Sequence, residues 1–196
     1  MCATPAPTPT APEAHSLSRL QAERPAGDLW VFAYASLIWR PEFEAAQALP
    51  TRVHGWHRAL KMWSRINRGT PARPGLVFAL LSGGSCQGLA LRVPEGAEDR
   101  VLAQLWAREM PTGVYRPRFL RCATAQGTVQ ALSFTLPRSS PHYTGVLSPA
   151  QYRAILADRV GGRYGHTLEY AQRTLESLRA LGIEDRALAR LLKAAD

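Results

Sequence analysis

Glu109 is the residue of this sequence whose position points most directly to chemistry. A helix is predicted over Glu98 to Met110, and at about 100° per residue Glu109 falls about 80° from Val101, within an apolar stripe that also contains Leu105. A carboxylate on a stripe that faces a core is costly unless it is paired or protonated, and burial raises its pKa toward the range useful for proton transfer. The pattern therefore nominates Glu109 as a general acid/base.

Two structural explanations of Glu109 remain open beside the chemical one. Pro111 follows closely, so the helix stops nearby and the carboxylate can lean outward past the last turn. Alternatively, Glu109 pairs with an arginine and forms an inert ion pair. On the opposite face of the helix, Arg100, Gln104 and Arg108 are expected to stay in solvent.

Two tyrosines lie in segments where a phenol can reach a bound ligand. Tyr115 follows Glu109 by a few residues, and Tyr143 lies in the loop-like sequence SPHYTG. For each tyrosine the alternative is packing of the ring with its hydroxyl in water. Both residues are therefore candidates for orienting a ligand, with packing as the competing explanation.

The other nucleophiles and metal-binding side chains carry weaker signals. Ser36 follows an apolar strand, but neither glycine of the G-x-S-x-G nucleophile elbow is present. His54 and His57 lie at i and i+3, which on a strand places them on opposite faces and disfavours a shared metal. Cys86 and Cys122 lie in predicted strands, where cysteine is more often small core filling than a nucleophile. We therefore predict no metal and no cofactor.

The elements that must position these residues are predicted as strands around one helix, followed by several helices, which is an α+β fold. The run LWVFAYASLIW is typical of a buried strand that turns into a loop at Ala35 and Ser36. Ser148 followed by Pro149 predicts the start of the helical region. The other predicted features are an extended segment Val53–Trp63, a hairpin of Leu76–Leu81 and Cys86–Val93 around SGGS, a hairpin of Phe119–Ala125 and Val129–Leu136, and helix breaks near Gly161, Gly162 and Gly182.

Composition disfavours several classes of protein. The chain of 196 residues carries a formal net charge of +9, from 24 basic and 15 acidic residues. The basic residues are scattered and almost all are arginine, which disfavours a nucleic-acid-binding role and favours anionic small molecules. The longest apolar run, Leu76–Leu81, is too short for a transmembrane helix. Three cysteines without a CxxC pair indicate a reducing compartment.

The N-terminal segment, residues 1–27, is predicted to be a disordered tail. It holds five of the fifteen prolines and few large apolar residues. It also lacks the basic start and apolar core of a secretory signal, so a cytoplasmic location is expected. Ordered structure is predicted to begin at Asp28 or Leu29, which leaves 28–196 as a single domain.

Five segments, in order along the chain after the tail, carry a resemblance to one family. WVFAYASLIWRPEF is similar to the signature VFGYGSLIWxPxF, LWAREMPTGVYRP to a segment with an Arg-Glu pair, and HYTG to a Tyr-x-Gly motif. GWHRALKMWSRINRGTPARPGLVFAL and GRYGHTLEYAQRTLESLRALGIED are similar to its Arg-Gly-Thr-Pro region and C-terminal helix pattern. On these segments the chain resembles the ChaC-like γ-glutamylcyclotransferases, the glutathione-specific branch of the γ-glutamylcyclotransferase superfamily.

The resemblance implies a mixed β-sheet or barrel with a catalytic helix and a helical C-terminal region. It gives the role of the catalytic glutamate to Glu109. Ala33 and Ala35 stand where glycine is commoner in the family, which raises the question whether the backbone there needs a glycine conformation. The resemblance also implies a glutamyl-binding loop and an orienting phenol, formed by Ala33, Tyr34, Ala35, Ser36, Leu37, Ile38 and Tyr143.

The implied reaction cleaves glutathione to 5-oxoproline and Cys-Gly, with 28–196 as the catalytic domain and no metal or cofactor. The α-amine of the substrate attacks its own γ-carbonyl while Glu109 transfers the proton. Two alternatives stay open: cyclisation of another γ-glutamyl amino acid or γ-glutamylamine, and a non-catalytic γ-glutamyl-binding module. We expect a small-molecule substrate and neither a nucleic-acid nor a membrane partner, and the sequence leaves the oligomeric state open.

Overall fold

The computed structural model describes residues 16–194, in which five strands close into a barrel. The strands are β1 (Trp30–Ala33), β2 (Gln47–Ser64), β3 (Gly75–Arg92), β4 (Arg116–Thr124) and β5 (Gly127–Thr135). Their order is β1-β3-β2-β4-β5, and β1 closes the barrel by pairing parallel to β5. The predicted α+β class and the implied barrel are therefore confirmed.

As the sequence predicts, one helix lies between β3 and β4 and three helices follow the last strand; two more lie near the N-terminus. They are α1 (Leu17–Ala22), α2 (Ser36–Trp39), α3 (Glu98–Glu109), α4 (Pro149–Ala157), α5 (Thr167–Ala180) and α6 (Arg186–Lys193). The predicted start of the helical region is confirmed, because the Ser148 hydroxyl accepts the Gln151 N–H while the Gln151 side chain accepts the Ser148 N–H. The predicted breaks near Gly161 and Gly182 are confirmed as well.

The predicted hairpin around SGGS is wrong, because β3 runs unbroken from Gly75 to Arg92 and pairs antiparallel with β2 along its length. Gly83 and Gly84 lie opposite Gly55, where the register shifts, and the three have φ values of 97°, 74° and 81°. Two residues of β3 therefore lie opposite one residue of β2, which is the definition of a β-bulge. Glycine with positive φ suits a bulge as well as a turn, and the sequence does not distinguish the two. The second predicted hairpin, β4 with β5, is confirmed.

The predicted start of ordered structure at Asp28 is too late. Residues 16–27 are described and contain α1, which begins where the Ser16 hydroxyl accepts the Arg19 N–H. Leu20 of this helix is 4% exposed, and Gln21 Nε2 donates to Asp99 of α3. The sequence signals for α1 are one serine cap and two leucines, and the prolines on either side indicate disorder more strongly than these signals indicate a helix. The rest of the predicted disordered tail, residues 1–15, lies outside the described residues.

Alternate residues of the strands face two different cores, as the period of two requires. Phe32 and Phe78 belong to a core shared with α4, α5 and α6. Val31 and Ala79 belong to a second core shared with α1 and α3. The segment that follows β1 contributes to both cores, so it lies between α3 and the C-terminal helices.

Candidate active site

Glu109 is the last residue of α3, and its side chain is 18% exposed. The predicted apolar stripe is confirmed, because Val101, Leu102 and Leu105 are fully buried. Although the helix ends here, Glu109 does not lean into open solvent. It lines a cavity together with Tyr34, Ala35, Ser36, Leu37, Phe78, Tyr115, Phe134 and Tyr170.

Two opposing effects act on the Glu109 carboxyl. Burial raises its pKa above the ordinary value, while the guanidinium of Arg108, whose Nε lies 2.9 Å from Glu109 Oε1, lowers it. The carboxylate of Glu42 adds a smaller upward contribution. The pKa of Glu109 is raised on balance, because burial is the largest effect. An ion pair with an arginine therefore exists, but it does not cancel the cost of removing the carboxylate from water.

Arg108 does not stay in solvent, contrary to the expectation from its helix face, and its side chain is 21% exposed. Its Nη2 donates to the Ser36 hydroxyl at 2.9 Å, and its Nη1 donates to the carbonyl oxygen of Arg40 at 2.6 Å and to Glu42 at 3.1 Å. Arg108 thus connects the end of α3 to both ends of α2. A helical wheel misses this because these contacts come from a segment far away in sequence.

The predicted binding loop, Ala33 to Ile38, is the end of β1 followed by the single turn α2. Four of its six residues line the Glu109 cavity, at positions 34–37. Ala33 is fully buried at the end of β1, and Ile38 packs against both cores. Neither alanine has a positive φ, because Glu42 is the one non-glycine residue with positive φ among residues 16–194, so neither lies in the left-handed region that favours glycine.

Arg58 fixes the backbone of this loop through a hydrogen bond. Its Nη1 donates to the carbonyl oxygens of Tyr34 at 2.8 Å and Gln87 at 3.1 Å. Its Nη2 forms an ion pair of 2.7 Å with Asp185, and the Arg58 side chain is 5% exposed. The carbonyl of Tyr34 is thereby fixed, which orients the peptide that leads into the cavity.

Three tyrosine side chains surround the carboxylate. The Tyr34 hydroxyl donates to the carbonyl oxygen of Phe134 at 3.3 Å, and the Tyr170 oxygen accepts the Phe78 N–H at 3.4 Å. Burial raises the pKa of Tyr170 to about 12 and raises the pKa of Tyr34 and of Tyr115 well above the usual value. All three phenols are therefore neutral at physiological pH and can serve as hydrogen-bonding groups.

Tyr143 is not brought to this cavity. Its hydroxyl accepts a hydrogen bond of 2.7 Å from Arg138 Nη1, and its backbone bridges to Met62 of β2. Of the two tyrosines nominated from the sequence, Tyr115 is the one that joins Glu109. Sequence reasoning missed Phe78, Phe134 and Tyr170 as lining residues. The Glu-Tyr pair within GRYGHTLEYAQ, which forms part of the family resemblance, was a signal for Tyr170.

The described residues hold no cluster that could bind a metal ion, meaning three or more His, Cys, Asp or Glu side chains within reach of each other. In the same part of the chain, no helix is both long and apolar enough to cross a membrane. The polar groups on the residues that line the Glu109 cavity are a carboxyl group, neutral phenols, the Ser36 hydroxyl and backbone amides.

The chain belongs to the ChaC-like protein family, because the family model described as ChaC-like protein matches residues 29–196. The glutathione-specific gamma-glutamylcyclotransferase of Escherichia coli strain K12 is 36% identical to it over 181 residues, which cover 91% of this chain and 78% of that protein. Glutathione-specific gamma-glutamylcyclotransferase 1 of Homo sapiens is 30% identical over 172 residues, covering 85% and 78%. The resemblance found in the sequence is therefore confirmed.

The fold has a solved counterpart in a yeast gamma-glutamyl cyclotransferase specific to glutathione. The two superpose with a TM-score of 0.77 at 18% sequence identity, over 86% of this chain and 95% of the yeast protein. At this identity the likeness establishes the shared fold alone. The closed barrel and its helices thus form a fold that is shared with the yeast structure.

Proposed function

We propose that this protein is a glutathione-specific γ-glutamylcyclotransferase that releases 5-oxoproline and Cys-Gly, with Glu109 as general acid/base. The observation that carries the proposal is a carboxylate on the core-facing side of α3, 18% exposed, in a cavity shared with the loop after β1. The names and the coverage of the bacterial and human relatives support the substrate class.

The proposed reaction exchanges one amide bond and moves two protons from the attacking nitrogen to the leaving nitrogen. The α-amine of the γ-glutamyl group arrives as ammonium and gives a proton to the Glu109 carboxylate. The free amine attacks the γ-carbonyl, the new C–N bond closes a five-membered ring, and the C–N bond to cysteine breaks. Glu109 gives this proton to the nitrogen of cysteine as its C–N bond breaks, then takes the second proton of the attacking nitrogen and passes it to the released amine of Cys-Gly. The products are a neutral lactam and an ammonium group, and neither water nor a covalent enzyme intermediate takes part. A raised pKa suits this role because the carboxyl must both accept and donate at neutral pH.

We assign the loop from Ala33 to Ile38 to binding of the γ-glutamyl group. The first N–H groups of a helix lack acceptors within the helix, and in α2 these belong to residues around Ser36 and Leu37, which line the cavity. They can hold the α-carboxylate or the oxyanion that forms at the γ-carbon. Ring closure is intramolecular, so keeping the glutamyl group folded supplies much of the rate enhancement.

We further infer that the catalytic domain is 28–196, against which the preceding helix α1 packs, and that it works in the cytoplasm. The family model covers nearly the same residues. Cys86 and Cys122 are unpaired and buried, which fits a reducing compartment in which glutathione is abundant as the thiol.

A second candidate is the same cyclisation on another γ-glutamyl amino acid or γ-glutamylamine, because Glu109 and the loop would serve either substrate. A product assay separates the two candidates. The purified protein is incubated with glutathione and with γ-glutamyl-alanine, and 5-oxoproline and the leaving group are quantified. We expect equal amounts of 5-oxoproline and Cys-Gly from glutathione and little product from γ-glutamyl-alanine. The reverse preference would support the second candidate, and binding of both compounds without product would support a binding module.

A further inference from the structure

A second cavity, of about 220 Å³, lies beside the Glu109 cavity. Tyr170 lines both cavities, and α2 separates them: Ser36 and Leu37 face the first, and Trp39 faces the second. The second cavity is lined by Trp39, Arg40, Arg68, Tyr164, Glu169, Tyr170 and Arg173. The two cavities therefore share the Tyr170 side chain as part of their walls.

Three guanidinium groups line this cavity against a single carboxylate, Glu169. Arg40 is paired with Glu42, with 2.7 Å between Nε and Oε1. Among residues 16–194, neither Arg68 nor Arg173 has a carboxylate within ion-pair distance. Glu169 acts on Arg68 from within the cavity, but three guanidinium groups against Glu169 and Glu42 leave a net positive charge, which is complementary to an anion.

The arginines are held in place by aromatic rings. The Arg68 side chain is buried, its Cζ lies 4.7 Å from the centre of the Tyr170 ring, and it donates to the carbonyl oxygen of Tyr164. Arg173 Cζ lies 4.3 Å from the centre of the Trp39 ring. Stacking fixes the plane of a guanidinium while its N–H groups stay available for a carboxylate. Arg68 is therefore buried and fixed in the cavity wall, while Arg173 is exposed and its guanidinium is positioned by Trp39.

One wall of the cavity depends on the glycines of GGRYG. A side chain at Gly162 would collide with the carbonyl oxygen of Ile66, and one at Gly165 would collide with the Glu169 carboxylate. Close approach lets the Arg163 N–H donate to Ile66 at 2.7 Å. The segment that carries Tyr164 is thereby pressed against the segment that carries Arg68, which fixes both lining residues.

We propose that this arginine cavity binds the C-terminal carboxylate of the leaving dipeptide and so selects peptides over other γ-glutamyl compounds. The inference rests on the proposed function. Glutathione carries one carboxylate at each end and its scissile amide between them, which matches an acid/base cavity and an adjoining cationic cavity on either side of α2. The guanidinium groups of Arg68 and Arg173 are the assigned carboxylate ligands, since each is stacked on a ring of the cavity wall.

The test compares glutathione with its C-terminal amide, which lacks only the charge at issue. A charge-assisted hydrogen bond is worth about 1.5–3 kcal/mol, so wild type is expected to prefer glutathione by roughly tenfold to hundredfold in kcat/KM. Arg173→Gln should bring the two substrates close to parity, mainly by raising KM for glutathione. Arg179→Gln, an exposed arginine on the same helix, is the control and should keep the wild-type preference.

The outcomes separate the two proposals. Equal use of glutathione and its amide by wild type, or a loss in Arg173→Gln that is the same for both, would overturn the carboxylate site while the cyclotransferase activity stands. If wild type turns over neither compound, the proposed function fails. In that case, titration calorimetry of both compounds tests the carboxylate site independently of catalysis. A binding preference for glutathione that Arg173→Gln removes would support the site, and equal affinity for glutathione and its amide would overturn it.

Discussion

Arg108 Nε lies 2.9 Å from Glu109 Oε1, so the acid/base candidate and the cation beside it are adjacent in sequence as well as in space. The same guanidinium donates to the Ser36 hydroxyl. One side chain therefore lowers the pKa of Glu109 and also fixes the loop that would hold the substrate. The pKa of Glu109 is raised because burial outweighs the effect of this cation.

The pH dependence of catalysis should move when Arg108 is replaced. Arg108 lowers the pKa of Glu109, so Arg108→Gln should raise that pKa further and shift the acid limb of kcat/KM to higher pH. Arg108→Lys keeps the charge and should remain closer to wild type. The substrate amine titrates identically with each enzyme, so differences between the profiles belong to the protein. An acid limb at the same pH in wild type and Arg108→Gln would contradict this assignment.

Stability should depend on pH through Glu109 with a defined sign. The pKa of Glu109 is raised in the folded chain, so the native state holds the proton more tightly than the unfolded state does. The free energy of unfolding therefore falls as pH rises from the ordinary carboxyl pKa, about 4.3, through the pKa in the folded chain. Glu109→Gln lacks this loss. The Tm of the variant minus that of wild type should therefore grow over this interval and level off above it. Parallel Tm curves across the interval would show that the pKa of Glu109 is not raised.

The buried pair of Arg58 and Asp185 should contribute strongly to stability. Arg58→Met leaves Asp185 without its partner and should cost about 3 kcal/mol in urea unfolding. Asp185→Asn keeps the oxygen that accepts the Leu188 N–H, so the double variant should lose less than the sum of the single losses. Arg186→Met breaks the neighbouring pair with Glu184, which is more than three-quarters exposed on both sides, and should cost less than about 1 kcal/mol. Additive losses for Arg58 and Asp185 would contradict the coupling.

Thiol reactivity offers an inexpensive check of the core that the barrel shares with the C-terminal helices, which contains both Cys86 and Cys122. Burial raises the pKa of Cys122 to about 12 and raises the pKa of Cys86, so neither residue presents a thiolate at neutral pH. In a Cys2→Ser variant, a disulfide reagent at pH 7.5 should label neither thiol in the folded protein and both after unfolding in guanidinium. Rapid labelling of either residue in the native state would show that its core is open.

The sequence contained enough to predict α3 and the position of its carboxylate on the apolar face of the helix. Helical periodicity is local, so the angle between Glu109 and Val101 could be worked out without any knowledge of the fold. The serine and proline that start α4 are likewise local signals. These features depend on neighbours within a few positions, which is the range over which sequence patterns are informative.

The features that could not be predicted depend on contacts between distant positions. Tyr170 reaches Phe78 across 92 residues, and Arg58 reaches Asp185 across 127. Whether Gly83 belongs to a turn or a bulge depends on the strand that pairs with it. Because β2 pairs with β3 on both sides of Gly83, this residue lies in a bulge. A pattern of residue types carries no information on which of many arginines meets which partner.

The most direct test of the catalytic assignment is the turnover of glutathione by Glu109→Gln. The amide is isosteric and can still accept from Arg108, but it cannot take a proton from the substrate ammonium. The account predicts a loss of kcat of about 10²–10⁴-fold with an unchanged circular dichroism spectrum, while Glu176→Gln, an exposed position on α5, keeps wild-type activity. A folded Glu109→Gln enzyme that releases 5-oxoproline at the wild-type rate would contradict it.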